Sequence, residues 1–196
     1  MVTPTDATRW CGRRFSRWRG QSNGDTPLVA RVVRRASPED VHEIEDVYLR
    51  SWRAAYGSSV GSARLEELGA SRARSFDWSD GIRSPHVEVL VGVESACVVA
   101  GVAQANEILG GMRNLPEITM LYVDPSSWGT GLATELLAGC THWIVTRGHR
   151  EARLRVAVDH TRARRFYERE GWMPDGALAP IATELTTLVY YRKVLV

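Results

Sequence analysis

From Tyr122 to Thr134 the chain reads Tyr-Val-Asp-Pro-Ser-Ser-Trp-Gly-Thr-Gly-Leu-Ala-Thr. An apolar run at 117–123 (EITMLYV) leads through Asp124-Pro125 into a stretch that opens on Gly129, Thr130 and Gly131. Leu132, Leu136, Leu137, Cys140, Trp143 and Ile144 then follow at helical spacing. This is a strand, a loop and a helix that begins on glycine. The start of a helix carries unpartnered N–H groups and a partial positive charge, and glycine lets that backbone approach an anion closely. The segment therefore predicts a phosphate-bearing ligand beside a sheet. A P-loop is excluded, because Leu132-Ala133 stand where Lys-Ser/Thr must follow the second glycine. A dinucleotide fold fits poorly: Thr134 replaces its third glycine, and 196 residues leave no room for a paired dinucleotide domain and a catalytic one.

The flanking sequence alternates strand and helix patterns. Strands are expected at 29–35, 86–93, 97–107, 117–123, 152–158, from Gly171 onward and at 184–194. A helix starts at Ser37, with Pro38 in its first turn and Glu39 and Asp40 at its positive end. Val41, Ile44, Tyr48, Trp52 and Ala55 give it one apolar face, and Gly57 ends it. A second helix is expected within 62–79, carrying Leu65, Leu68, Ala73 and Phe76. Further helices run from about Gly131 to Gly148 and over 161–169. A turn near Glu94–Ala96 makes a hairpin of the second and third strands. The pattern is that of one α/β domain over 28–196.

Residues 1–27 have no such pattern. They hold Arg9, Arg13, Arg14, Arg17 and Arg19 against Asp6 and Asp25, and read as a disordered Arg/Trp-rich tail. Arg13-Arg14-Phe15 is not followed by the apolar segment an export signal needs. Outside the tail the charges balance, so no nucleic-acid partner is expected. No run approaches the roughly 18 apolar residues of a membrane span. The cysteines, Cys11, Cys97 and Cys140, form no disulfide framework, which suits a reducing, cytoplasmic setting. The five histidines show no metal-ligand spacing, and no metal site is predicted.

Two segments carry a family resemblance. Trp128, Gly131 and Ala133 resemble the acyl-CoA-binding signature Q/R-x-x-G-x-G/A of the GNAT superfamily of N-acyltransferases, with Trp128 in place of Gln or Arg. The stretch from His160 to Trp172, with Ala163, Phe166, Tyr167, Glu168 and Gly171, resembles the family's N-x-x-A-x-x-F-Y-E-x-x-G-F/W segment, with His160 in place of Asn. Ser51-Trp-Arg-Ala-Ala-Tyr56 is similar to the first helix of a bacterial subgroup. The resemblance covers residues 29–196 in element order. It implies a mixed, mostly antiparallel sheet splayed at its centre, with helices on both faces. The implied co-substrate is acetyl-CoA. Its pantetheine arm would lie along Leu121, Tyr122 and Val123. Its pyrophosphate would sit on Trp128, Gly129, Thr130, Gly131, Leu132, Ala133 and Thr134, while His160, Ala163 and Phe166 would flank the arm.

The implied activity is N-acetylation of a primary amine by direct attack in a ternary complex. A free alkylamine has a pKa near ~10 and must lose a proton before it attacks. Glu117 is the expected general base, placed by strand alternation on the face of Thr119, Leu121 and Val123. Tyr167 is the expected acid for the departing thiolate. Trp52 and Tyr56, four apart on one helical face, are expected to line the acceptor site. Arg162, Arg164, Arg165 and Arg169 read as a solvated face, with contact of one of them to the 3′-phosphate of the co-substrate as the alternative. A small-molecule amine is favoured over a protein acceptor, and the resemblance is compatible with a homodimer. The competing reading is a non-catalytic acyl-CoA-binding regulatory module.

Overall fold

The computed structural model describes residues 31–56, 67, 69, 76–94, 98–107, 115–178 and 187–195. The expected tail at 1–27, most of the helix expected at 62–79, and all but Glu94 of the turn expected near Glu94–Ala96 lie outside them. Among the described residues, β1 (Val32–Arg35), β2 (Val87–Glu94), β3 (Val98–Asn106), β4 (Glu117–Val123), β5 (Glu151–Ala157), β6 (Met173–Leu178) and β7 (Leu188–Val194) form one sheet in the order β1-β2-β3-β4-β5-β7-β6. Four α-helices accompany it: α1 (Val41–Tyr56), α2 (Trp78–Arg83), α3 (Leu132–Thr146) and α4 (Thr161–Arg169). Neighbouring strands run antiparallel except β4 and β5, which are parallel because α3 crosses over between them.

The sheet is covered on both faces, which is why β2 is apolar almost throughout. On one face Ile44 and Val47 of α1 and Trp78 of α2 pack against Val89, Val91, Val102 and Met120. On the other, Leu132, Leu136, Leu137, Cys140 and Ile144 of α3 pack against Leu90, Ala103, Ile118, Leu154 and Tyr191. Helix α3 comes so close to the sheet that a Cβ on Gly92 would overlap Leu132, and one on Gly101 would stand 2.8 Å from Leu136 Cδ1. The helix start expected at Ser37 is a 3-10 turn, Pro38–Asp40, that leads into α1 at Val41. Ser37 and Asp40 form a capping box around Pro38, and Arg34 holds the Asp40 carboxylate with both terminal nitrogens at 2.7 Å.

Two features depart from the sequence reading. The short helix α2 begins where the expected second helix was to end, capped by Asp77, which accepts the Asp80 N–H at 2.8 Å. In β4 the pairing with β3 slips: Gln104 faces Met120 but Ala105 faces Ile118, so Thr119 is an extra residue. A one-residue bulge inverts the alternation on either side of it. Ile118, Leu121 and Val123 therefore all join the α3 core, while Met120 and Tyr122 turn to the α1 side. Glu117 lies on the Met120 and Tyr122 face, not on that of Leu121 and Val123 as strand alternation alone predicted.

Candidate active site

The sheet opens at its centre. Strands β4 and β5 pair only through Glu117 with Arg153 and Ile118 with Leu154. One further bond, from the Arg153 N–H to the Pro116 carbonyl at 3.0 Å, closes the seam at its end. Beyond it β4 follows β3 while β5 follows β7, so the facing edges diverge. The Asp124 N–H donates to Ala100 of β3. By antiparallel alternation, the N–H groups of Leu121 and Val123 point the other way, into the opening. The Val123 carbonyl is engaged there already, accepting from Ser51 Oγ and from Trp128 Nε1, both at 2.8 Å.

The glycine turn forms one wall. Asp124 caps the 3-10 turn Pro125–Ser127 by accepting the Ser126 N–H at 2.9 Å, and Arg50 Nε anchors its other oxygen at 2.5 Å. Gly129 and Gly131 have φ of +82° and +93°, the left-handed region that side chains disfavour. Gly131 is the N-cap residue of α3, and among the described residues no side-chain cap bond is made there. Its first-turn amides are left for an external acceptor. The turn is braced from the residue before β1: Arg31 donates to the Thr130 carbonyl at 2.9 Å, to Glu135 at 3.0 Å and to Glu94 at 3.1 Å. Side chains here mostly face elsewhere. Leu132 is fully buried, Ala133 packs against the core, and Thr134 Oγ1 donates to Glu170 at 2.9 Å.

Helix α4 forms the other wall. His160 is its N-cap, with Nδ1 accepting the Ala163 N–H at 3.3 Å. That bond requires a neutral ring, and burial lowers the His160 pKa in the same direction. Phe166 and Ala163 pack on the core. Tyr167 is buried, and desolvation, followed by the proximity of Cys140 and Tyr56, pushes its phenol well above the ordinary range. The Cys140 thiol is raised too, chiefly by burial. Tyr191 steadies α4 by donating to Glu168 at 2.8 Å and accepting from Arg164 Nε at 3.1 Å.

Arg162 over Trp128 and Thr134 on Glu170 tie α4, with its N-cap His160 and the core-packed Tyr167, to the glycine-turn side of the opening. Tyr56 reaches it from the end of α1, its ring 6.2 Å from that of His160 and edge-on. Trp52 stands behind it at 4.5 Å, buried in a cluster with Tyr48. Glu117 lies at the seam, 1% exposed, accepting from Arg153 Nε at 3.0 Å and Arg155 Nε at 2.5 Å. Of the arginines of α4, Arg162, Arg165 and Arg169 are exposed, as a solvated face predicts, and Arg164 is half-buried. Arg164 binds Tyr191 and the Val158 carbonyl, and Arg162 lies over the Trp128 ring. Sequence reasoning passed over Ser51 and Arg31, which shape the opening through contacts distant in the chain. Among the described residues no group of three or more His, Cys, Asp or Glu side chains could hold a metal ion. No helix there is long and apolar enough to cross a membrane.

Known proteins share this fold. The PaiA N-acetyltransferase of Thermoplasma acidophilum, solved with coenzyme A, superposes with a TM-score of 0.70 at 18% identity, over 84% of this chain and 99% of that one. A GCN5-related N-acetyltransferase from Rhodopseudomonas palustris gives 0.65 at 18% identity, over 88% and 100%. The yncA protein of Salmonella typhimurium, solved with its cofactor acetyl-CoA, gives 0.62 at 19% identity, over 85% and 94%. No curated protein matches the sequence. At such identities the superpositions speak for the fold. The sequence itself goes further: residues 41–172, from the start of α1 through the Tyr167 segment, match the acetyltransferase (GNAT) family, and the chain belongs to that family.

Proposed function

We propose that the protein moves an acetyl group from acetyl-CoA to a primary amine by direct attack within a ternary complex. The observation that carries this reading is the opening itself. A strand edge and a glycine helix start line one side of it, and α4, which carries the buried Tyr167, is tied to that side by Arg162 over Trp128. Acetyl-CoA supplies the activated acyl thioester. The N–H groups of Leu121 and Val123 would hold the pantetheine arm and donate toward a developing oxyanion. The amides following Gly129 and Gly131 would take the diphosphate.

Tyr167 is the acid in this reading. A phenol is protonated at neutral pH and can give its proton to a departing thiolate; burial, which raises Tyr167, makes that transfer uphill, and the thiolate charge formed in the same dry surroundings offsets it. Cys140 is buried with a raised pKa, which disfavours an acyl-cysteine route and supports direct attack. Glu117 enters as an ion-pair pivot rather than as the base, because a guanidinium engages each of its oxygens and a proton would compete with both. The amine then sheds its proton to water. Tyr56 borders the acceptor, with Trp52 supporting it, and the acceptor is a small-molecule amine.

Calorimetric titration of the full chain with acetyl-CoA, coenzyme A and NADH, followed by an amine screen read by thiol release, tests this. The expected result is binding of the two CoA species and amine-dependent release. CoA binding without turnover of any amine would favour a non-catalytic module, and binding of NADH alone would sink the assignment.

A further inference from the structure

The chain departs from the two acyl-CoA segments at Trp128 and His160, which stand on opposite walls of the opening. One side chain joins them. Arg162, in the first turn of α4, lays its guanidinium over the Trp128 indole, 3.7 Å from the ring centroid. The same guanidinium lies near enough to His160 to disfavour its protonated form. The indole is itself fixed. Its Nε1 is spent on the Val123 carbonyl, and Trp128 closes the 3-10 turn just before Gly129.

Arg162 differs in its contacts from the ion-paired arginines of the sheet and α1 and from Arg164, and differs from the equally exposed Arg165 in lying over an aromatic ring. Arg31, Arg34, Arg50, Arg153 and Arg155 each hold a carboxylate, and Arg164 holds a phenol and a carbonyl. Among the described residues Arg162 has the Trp128 ring and neither an ion pair nor a hydrogen bond. Stacking uses the face of a guanidinium and leaves its N–H edge directed outward, the geometry for gripping a phosphate with two bonds. Trp128 directly precedes Gly129, so the stack stands at the turn that leads into α3, where Gly129 and Gly131 favour an anion.

We infer that Arg162 is a phosphate ligand of the acyl-CoA site, held in place by Trp128. The inference rests on the acetyl-CoA reading above. Position 128 carries Gln or Arg in the signature, and a tryptophan whose one donor is occupied offers a phosphate nothing. The facing wall restores the cation. Coenzyme A bears phosphate in its diphosphate and on its ribose 3′ position, and a guanidinium suits either.

The test is calorimetric binding by full-length wild type, Arg162→Ala, Trp128→Leu and the double variant. Acetyl-CoA, 3′-dephospho-CoA and pantetheine are the probes. Arg162→Ala should weaken acetyl-CoA binding about tenfold and leave pantetheine unchanged. If the loss persists with 3′-dephospho-CoA, the diphosphate is the partner; if it vanishes, the 3′-phosphate is. Either supports a phosphate ligand. Trp128→Leu should cost several-fold alone and nothing more once Arg162 is gone. Because Arg162 is exposed, thermal melts of its variant should match wild type. Unchanged acetyl-CoA affinity in Arg162→Ala, or an equal loss for pantetheine, would overturn the assignment. Additive losses in the double variant would remove Trp128 from it. A wild type that binds no acetyl-CoA would defeat the underlying reading, an outcome distinct from all of these.

Discussion

The two walls of the opening are made of different material. The β4 wall is backbone: the inward N–H groups of Leu121 and Val123, and the amides that follow Gly129 and Gly131. Its side chains are committed elsewhere, Leu132 to the core, Thr134 to Glu170 and the Trp128 N–H to Val123. The α4 wall is side chain: His160, Arg162 and Tyr167 on one short helix, steadied by Tyr191. A backbone wall depends on φ and tolerates many residues wherever φ is ordinary. A side-chain wall depends on which residue stands at each position. The contrast explains how a tryptophan can occupy position 128 without dismantling the turn.

Substitutions can break that contrast. The largest effect belongs to the hinge between the walls. Glu117→Gln leaves Arg153 and Arg155 without their shared carboxylate and should cost about 3 kcal/mol of stability in urea unfolding. The acidic limb of its kcat/KM profile should persist; a limb that disappeared would restore Glu117 as the base. Next comes the side-chain wall. Tyr167→Phe should lower kcat roughly 100-fold while acetyl-CoA affinity holds. On the backbone wall the pattern reverses. Gly131→Ala forces a side chain to φ +93°, a strain of about 1–2 kcal/mol, and should weaken acetyl-CoA binding about tenfold with kcat at saturation nearly kept. A kcat loss there equal to that of Tyr167→Phe would erase the distinction between walls.

The smallest effect is a pH dependence at His160. Its folded pKa is lowered by burial, so the folded state binds fewer protons than the unfolded one. Its contribution is complete above the unfolded value near ~6.5 and fades as pH falls through the folded value. Asparagine caps a helix at any pH. His160→Asn should therefore melt with wild type near pH ~8 and about 1 °C above it near pH ~5. Coincident melts at both would show that the cap bond carries no weight.

Some of this was legible in the chain. Strand β4 and helix α4 fall at 117–123 and 161–169 as their patterns predicted. Proline at 116 and 125 bounds the strand, while a capping residue and Gly171 bound the helix. The Thr119 bulge left no local mark, so parity put Glu117 on the wrong face. Its guanidinium partners lie 36 and 38 residues away, beyond any periodicity. Trp52 and Tyr56 share one helical stripe, yet one is buried in an aromatic cluster and the other reaches the opening. A period of 3.6 cannot separate core from site when both lie on the same side of a helix.

Arg31 has a consequence for the order in which the protein is born. It stands at the start of the described chain, yet its acceptors are Glu94, Thr130 and Glu135, at separations of 63, 99 and 104 residues. A ribosome delivers the arginine long before it delivers the loop. The cradle for the anion can take its braced shape only when the first strand has docked and α3 has emerged. Recognition of the ligand is thus reserved for a chain that has already completed the larger part of its sheet.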